Sequence, residues 1–207
     1  VIASVFVNPT QFGPGEDFDA YPRVLEEDAR KCREVGCRAL FAPADGEMYS
    51  PGHLTVVRVE EMTSHLCGAH RPGHFDGVTT IVAKLFNVVR PDAAVFGQKD
   101  YQQLAAIRRM TIDLNFPVEV VGGPTVREAD GLAMSSRNRY LSAAERADAV
   151  LLSRGLARAW RAWRGGERRA EALVAEVAND AELLVDAFGV PDDVLKARDG
   201  MEAGPAE

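Results

Sequence analysis

Apolar positions along the chain follow two rhythms that alternate from the first residue. Val1-Ile2-Ala3-Ser4-Val5-Phe6-Val7 is a near-continuous apolar run, which predicts a strand buried on both faces, as in a parallel sheet covered by helices. Asn8-Pro9-Thr10 ends that run, and residues 11–21, with Gly13, Pro14 and Gly15, read as a loop. Pro22 stands where the first residue of a helix is expected; the helix runs through Leu25, Ala29, Cys32 and Val35, and Gly36 stops it. A short strand over 39–42, a loop around Pro43, Asp45 and Gly46, and a strand over 55–59 are expected next. Val78, Ile81, Val82, Leu85, Val88 and Val89 then recur at helical spacing, and Pro91 closes the helix over 78–89. Ala93-Ala94-Val95-Phe96 reads as a short buried strand ending at Gly97, 102–114 as a helix and 118–121 as a further strand. Strands and helices alternating at these lengths predict an α/β fold, a doubly wound parallel sheet.

After Pro124 the pattern changes. Ser142-Ala143-Ala144-Glu145 is a capping-box pattern, so a long helix is expected to start there. Leu152, Leu156, Ala159, Trp160 and Trp163 share one of its faces, Gly165-Gly166 breaks it, and a second helix runs through Leu173, Val174, Val177, Leu184 and Phe188. A boundary near 122–126 divides the chain into a domain over 1–124 and a smaller one over 125–207. The tail from Gly200 is rich in Gly, Pro and Ala.

Composition narrows the class. The chain has 207 residues, 46% of them hydrophobic and 27% charged, the profile of a globular chain long enough to bury a core. No stretch approaches the roughly 18 to 20 apolar residues of a membrane helix, so no membrane partner is expected. Twenty-four Lys and Arg against thirty-one Asp and Glu give a net charge of -7; with no global positive field, nucleic acid is not expected as a partner. Cys32, Cys37 and Cys67 are odd in number and lack the spacing of a disulfide framework, which fits a cytoplasmic protein.

Four segments carry candidate chemistry. Gly97-Gln98-Lys99-Asp100-Tyr101-Gln102-Gln103 follows a strand and opens a helix, the place where open α/β sheets bind ligands. The helix amides and Lys99 suit a phosphate, Asp100 suits sugar hydroxyls or a magnesium-bound water, and Gln103 offers a donor and an acceptor. The same residues would equally serve as a solvated helix start. Gly131-Leu132-Ala133-Met134-Ser135-Ser136-Arg137-Asn138 puts two hydroxyls beside a guanidinium, a set that can grip phosphate oxygens or simply form a Ser-rich turn. Asn8, Thr10 and Gln11, just past a strand end, could read the hydroxyls and carbonyls of a polar substrate or cap a turn. His65, Cys67, His70 and His74 invite a zinc reading, but their spacing fits no two-plus-two pattern and Arg71 adds positive charge. No metal site is expected there; a substrate-facing loop that packs Phe75 and presents Arg71 and His74 is.

Taken together, FVNPTQFGPGEDFDAYPR from Phe6, RPGHFDGV from Arg71, VFGQKDYQQL from Val95 and VREADGLAMSSRNRYL from Val126 closely resemble the pantothenate synthetase family. The four blocks occur in the family's order and spacing across nearly the whole chain. The resemblance implies a nucleotidyltransferase-like Rossmann domain with a smaller α+β lid domain, in a homodimer. It implies ATP-dependent ligation of pantoate to β-alanine through a pantoyl adenylate, with ATP carried as its Mg2+ complex. By the same resemblance Gln11 and Gln103 bind pantoate, Asn8 lies beside the reacting centre, Lys99 meets the ATP phosphates, and Gly97 and Asp100 meet the ribose. Val126 meets adenine through its backbone, and Ser135, Ser136 and Arg137 grip phosphate. The family's two-histidine PTMGxLHxGH-type turn, on a βα unit ahead of the first strand, has no match here, and residues 189–199 resemble the lead into a strand hairpin whose last strands do not follow. The expectation is therefore a chain short at both ends, lacking its first βα unit, with little or no turnover of its own. The competing expectations are a non-catalytic module that binds pantoate or nucleotide or only dimerises, and a nucleotidyltransferase acting on another small carboxylic acid.

Overall fold

The computed structural model describes residues 1–178. They fall into two compact units, one spanning Val1–Pro124 and one beginning at Thr125. In the first, β1 (Ile2–Ser4), α1 (Leu25–Glu34), β2 (Ala39–Phe41), α2 (Asp45–Met48), α3 (Cys67–His70), α4 (His74–Val89), β3 (Ala93–Gly97), α5 (Tyr101–Asp113) and β4 (Glu119–Gly123) follow in order. The strands are parallel, as the alternation of elements requires. They form two separate pairs: β1 with β2, Ile2 opposite Ala39, and β3 with β4, Ala93 opposite Glu119.

Helix α4 organises this unit. Phe75, Val78, Ile81, Val82 and Phe86 on α4 meet Ile107 and Met110 on α5 in one core, with Ala94, Phe96, Val118 and Val120 packed against its edge. Each such side chain, fully buried, is worth about 1.5–3 kcal/mol. Gly77 lies buried within α4, where a Cβ would stand 2.5 Å from the Thr10 carbonyl oxygen. The 3-10 turn Pro9–Gln11 therefore rests directly on the helix backbone.

Several local expectations give way to tertiary contacts. The first apolar run yields only a three-residue strand with Ile2 exposed, because among the described residues β1 pairs with β2 alone. β3 is likewise not buried on both faces. Ala94 and Phe96 turn to the core while Val95 is 70% exposed, a period of two that shows one covered face. Pro22 lies ahead of α1, whose cap is Val24. The expected loop at 43–46 contains the start of α2, where Glu47 accepts from the Ala44 amide at 2.7 Å.

Segment 55–59 is no strand. The Val57 amide donates to Thr80 Oγ1 at 2.9 Å, Thr79 Oγ1 donates to the Val57 carbonyl at 2.6 Å, and Arg58 pairs with Asp76. Side chains of α4 thus satisfy backbone groups that a neighbouring strand would otherwise take.

In the second unit, residues 126–134 form a tight hairpin, with Arg127 opposite Ala133 and the Met134 amide donating to the Val126 carbonyl at 3.0 Å. Ser142 and Glu145 make the reciprocal capping box: the Glu145 amide donates to Ser142 Oγ at 3.3 Å, and Glu145 accepts from the Ser142 amide at 2.7 Å. The expected single long helix is two, α6 (Ala143–Asp148) and α7 (Val150–Arg164), followed by α8 (Ala170–Ala178).

The tryptophan face of α7 is not its packed face. Trp160 and Trp163 remain 57% and 46% exposed, and α8 instead meets Gly155, where a Cβ would lie 3.0 Å from Val177 Cα, and Arg158, which donates to the Glu176 carbonyl. Small size at Gly155 permits the close crossing that the indoles would prevent. The expected continuation through Leu184 and Phe188, the lead at 189–199 and the tail from Gly200 lie outside the described residues.

Gly77→Ala tests the seating of the turn on α4. The added methyl must displace the Thr10 backbone, so a loss of about 1–3 kcal/mol is expected in chemical denaturation, with the largest amide chemical-shift changes at residues 8–11. A neutral substitution would mean that the turn does not rest on the helix.

Candidate functional site

Asn8 is 2% exposed, and its amide is fully employed. Nδ2 donates to the Gly77 carbonyl at 3.0 Å and to Gln11 Oε1 at 3.3 Å, while Oδ1 accepts from Tyr49 Oη at 2.8 Å and Thr10 Oγ1 at 3.0 Å. Burying an amide without such partners costs several kcal/mol, so the network holds the turn against α4 at little penalty. Asn8 and Gln11, both anticipated as ligand-reading residues, are thus brought together, with Asn8 beneath and Gln11 half-buried above it. Burial pushes the Tyr49 phenol up, which keeps it a hydrogen-bond donor at neutral pH.

The Gln11 backbone is braced from a second side. His74 Nδ1 lies 2.8 Å from the Gln11 carbonyl oxygen and Arg71 Nη2 3.4 Å from it. Arg71 also holds Glu16 in a two-point pair, Nε to Oε1 at 2.8 Å and Nη2 to Oε2. Its hydrogen bond from Arg71 keeps the Glu16 carboxyl below its ordinary value of 4.5. Arg71 and His74 were expected to face a substrate; in the structure both are half-buried and tie the 11–16 segment to the start of α4, while Phe75 is buried as expected. Among the described residues no three His, Cys, Asp or Glu side chains lie together as a metal site.

β3 delivers Gly97 to the 3-10 turn Gln98–Asp100, and α5 begins at Tyr101. Lys99 and Asp100 are exposed, and Lys99 Nζ stands 3.3 Å from Asp100 Oδ1. An exposed pair at that distance holds little energy, so an anionic ligand could displace the carboxylate. Gln103, one turn along, is half-buried and makes no hydrogen bond among the described residues. Its neighbour Gln102, not singled out by sequence, makes three: from the Cys67 amide at 3.1 Å, and to the Met62 and His65 carbonyls at 3.0 and 2.7 Å. It fastens the loop ahead of α3 to α5, which leaves Gln103 as the amide of the pair available to a ligand.

In the second unit Ser135 Oγ accepts from the Arg137 amide at 3.3 Å and caps the 3-10 turn Ser136–Tyr140. Asn138 anchors that turn to the Ala133 carbonyl at 3.1 Å. Ser135 and Ser136 are half-buried and Arg137 exposed. Val126 is 66% exposed at the foot of the hairpin, its carbonyl already accepting from Met134. Asp130, whose carboxyl the Arg146 pair holds low, and the Arg127 bond to the Gly131 carbonyl stiffen the hairpin tip. An open groove of about 440 Å³ in this unit is lined by Arg127, Ser153, Arg154 and Leu156, and none of Ser135, Ser136 or Arg137 borders it.

Tyr49, Glu16, Gln102 and Gly77 are the supporting residues that sequence reasoning missed. Gly77 stands one residue ahead of the helix expected over 78–89, so it gave no signal of lying within one, and the others act on partners 35 to 55 residues away. Replacing Glu16 by Gln is expected to lower the midpoint of thermal unfolding by roughly 2–4 °C at pH 7. Because the folded carboxyl titrates below 4.5, the ion pair contributes fully above that pH and is lost as the pH falls below it. The difference between wild type and Glu16→Gln should therefore be constant from pH 8 to 5 and shrink below 4.5 in a pH series of melting curves. A difference independent of pH would remove the ion pair as its cause.

A family model described as pantoate-beta-alanine ligase matches residues 1–202. A pantothenate synthetase from Heliobacterium modesticaldum is 65% identical over 168 residues, 81% of this chain and 60% of the relative. One from Pseudomonas fluorescens is 54% identical across 100% of this chain and 71% of its own length. The chain spans about three fifths of the length of the first relatives it matches. The crystal structure of the Thermus thermophilus enzyme superposes with a TM-score of 0.83 at 53% identity, over 90% of this chain and 66% of that one. A Francisella tularensis pantoate-beta-alanine ligase, described as complexed with beta-gamma ATP and beta-alanine, superposes at 0.71 and 30% identity, over 86% of this chain and 67% of that one. With the family model covering all but the last residues and the fold matching at high identity, this chain belongs to the pantoate-beta-alanine ligase family.

Proposed function

We propose that the protein carrying this chain joins pantoate to β-alanine at the expense of ATP. A carboxylate oxygen of pantoate attacks the α-phosphorus, the bond to the β-phosphate breaks and pyrophosphate leaves. The amine of β-alanine then attacks the acyl carbon of the pantoyl adenylate, AMP leaves with the bonding electron pair, and the nitrogen gives up a proton. The observation that carries the reading is the braced amide of Gln11 on the 3-10 turn after β1, in the same unit as the unbonded amide of Gln103 and exposed Lys99 on the β3–α5 connection. This chemistry asks the protein mainly to position reactants and balance charge, and such side chains suit that task.

In this reading Gln11 and Gln103 hold pantoate, with Asn8 beneath Gln11 beside the reacting centre. Lys99 exchanges Asp100 for the phosphates of ATP, whose Mg2+ enters with the substrate. Gly97 and Asp100 meet the ribose, the Val126 backbone meets adenine, and Ser135, Ser136 and Arg137 grip phosphate from the second unit. The first unit is the nucleotide and pantoate domain and the second the lid. The ATP and β-alanine named for the Francisella relative support the choice of substrates. A cytoplasmic homodimer completes the proposal. The three cysteines, none in a disulfide, suit a reducing compartment, and no helix among the described residues is long and apolar enough to cross a membrane.

Pantoate-dependent exchange of labelled pyrophosphate into ATP, measured on the full-length protein that carries this chain, tests the first half-reaction. Exchange is expected, and Lys99→Ala, an exposed position whose loss leaves the fold intact, should lower kcat/KM by about 100-fold or more with an unchanged melting temperature. Pantoate binding without exchange would favour a non-catalytic binding module. Exchange driven by another small carboxylic acid but not by pantoate would reassign the substrate.

A further inference from the structure

Gln11 carries an amide whose two ends present opposite hydrogen-bonding characters, and the structure fixes which end is which. Tyr49 Oη and Thr10 Oγ1 both approach Asn8 Oδ1, at 2.8 and 3.0 Å. Hydroxyls can donate or accept, so they leave the polarity of Asn8 open, and the opposite end of the amide fixes it. That end faces the Gly77 carbonyl, an obligate acceptor, at 3.0 Å and is therefore the NH2 group, which also meets Gln11 at 3.3 Å; the end facing the two hydroxyls is the oxygen, and both donate to it. The Gln11 end that meets Asn8 must in turn be its oxygen. Gln11 Nε2 makes no hydrogen bond among the described residues. The polarity set at the Gly77 carbonyl is passed through two amides to a half-buried NH2 group, and the Tyr49 hydroxyl, 41 positions from Asn8 in sequence, holds the first of them in place.

We infer that Tyr49 is a positioning residue which locks the Gln11 amide with its Nε2 hydrogens available to the ligand, so that the ligand atom met there is a hydrogen-bond acceptor, a carboxylate or hydroxyl oxygen of pantoate. The naming of pantoate rests on the function proposed above; the locked polarity does not. Tyr49 also stacks obliquely on Phe6, ring centroids 6.4 Å apart, and edge-on to His53 at 5.1 Å. Tyr49→Phe keeps those ring contacts and removes only the hydroxyl, so the fold survives the test.

Nitrogen-15 relaxation of side-chain NH2 groups reads the lock without any ligand. Gln102, held by three hydrogen bonds, is the ordered reference, and exposed Gln98 the mobile one. Wild-type Gln11 should behave like Gln102, with an order parameter near ~0.8, and fall below ~0.6 in Tyr49→Phe. Equal mobility of Gln11 and Gln98 in the wild type, or no change in Tyr49→Phe, overturns the inference.

Calorimetric titration with pantoate reads the consequence. Tyr49→Phe should weaken binding about fivefold, the scale of one neutral hydrogen bond. Gln11→Glu, which keeps the acceptor facing Asn8 but replaces the donor by an oxygen, should weaken it by about tenfold or more even at salt high enough to screen charge repulsion. Unchanged or tighter binding by Gln11→Glu would mean that the ligand atom is a donor and the assigned polarity wrong. If wild type binds no pantoate, the proposed function fails, while the relaxation measurement still decides whether Tyr49 locks Gln11.

Discussion

A single buried amide underlies the first unit. Asn8 follows the first strand at a point where the chain must leave the sheet and cross a helix, and its carboxamide is removed from water almost completely. That burial is tolerable only because four groups from three parts of the chain converge on it, the turn itself, α2's flank at Tyr49 and the helix carbonyl of Gly77. The same convergence requires that position 77 carry no side chain, since the backbone of Thr10 occupies the space. Hydrogen-bond satisfaction and steric absence are thus two halves of one constraint, and both act on the segment that carries Gln11.

Helix α4 serves a comparable purpose along its length. Its apolar stripe meets α5 and the covered face of β3 and β4, while Thr79 and Thr80 turn their hydroxyls to the passing 55–59 segment. Arg71, just ahead of it, and His74, its first residue, hold the Gln11 carbonyl. A helix whose interior is packed and whose buried polar side chains all have partners makes a stiff base, and stiffness is what a site that works by positioning needs. Among the described residues no buried polar side-chain atom lacks a hydrogen-bond partner.

The cations of this net -7 chain fall into two kinds. Arg58, Arg71, Arg109 and Arg146 each hold a carboxylate in close contact. Lys99 differs, with an adjacent aspartate at 3.3 Å in solvent. Paired guanidiniums brace loops, whereas a loosely paired ammonium beside a strand end is exchangeable. The difference separates cations committed to the scaffold from one held loosely at the surface.

The sequence by itself determined the alternation of parallel strands and helices, the change of character after Pro124, the capping box at Ser142 and the positions of Gln11, Lys99, Gln103 and the serine loop. These are local properties: periodicity, caps and motif residues that a chain segment carries wherever it lies. Tertiary structure alone decided which faces are covered. Val95 and the α7 indoles are exposed because burial depends on what packs opposite, and 55–59 is not a strand because α4's threonines take its backbone groups. It also decided that Asn8 supports while Gln11 presents, and that Arg71 and His74 brace. Those roles are set by partners tens of residues away, at distances of about 3 Å that no spacing along the chain encodes.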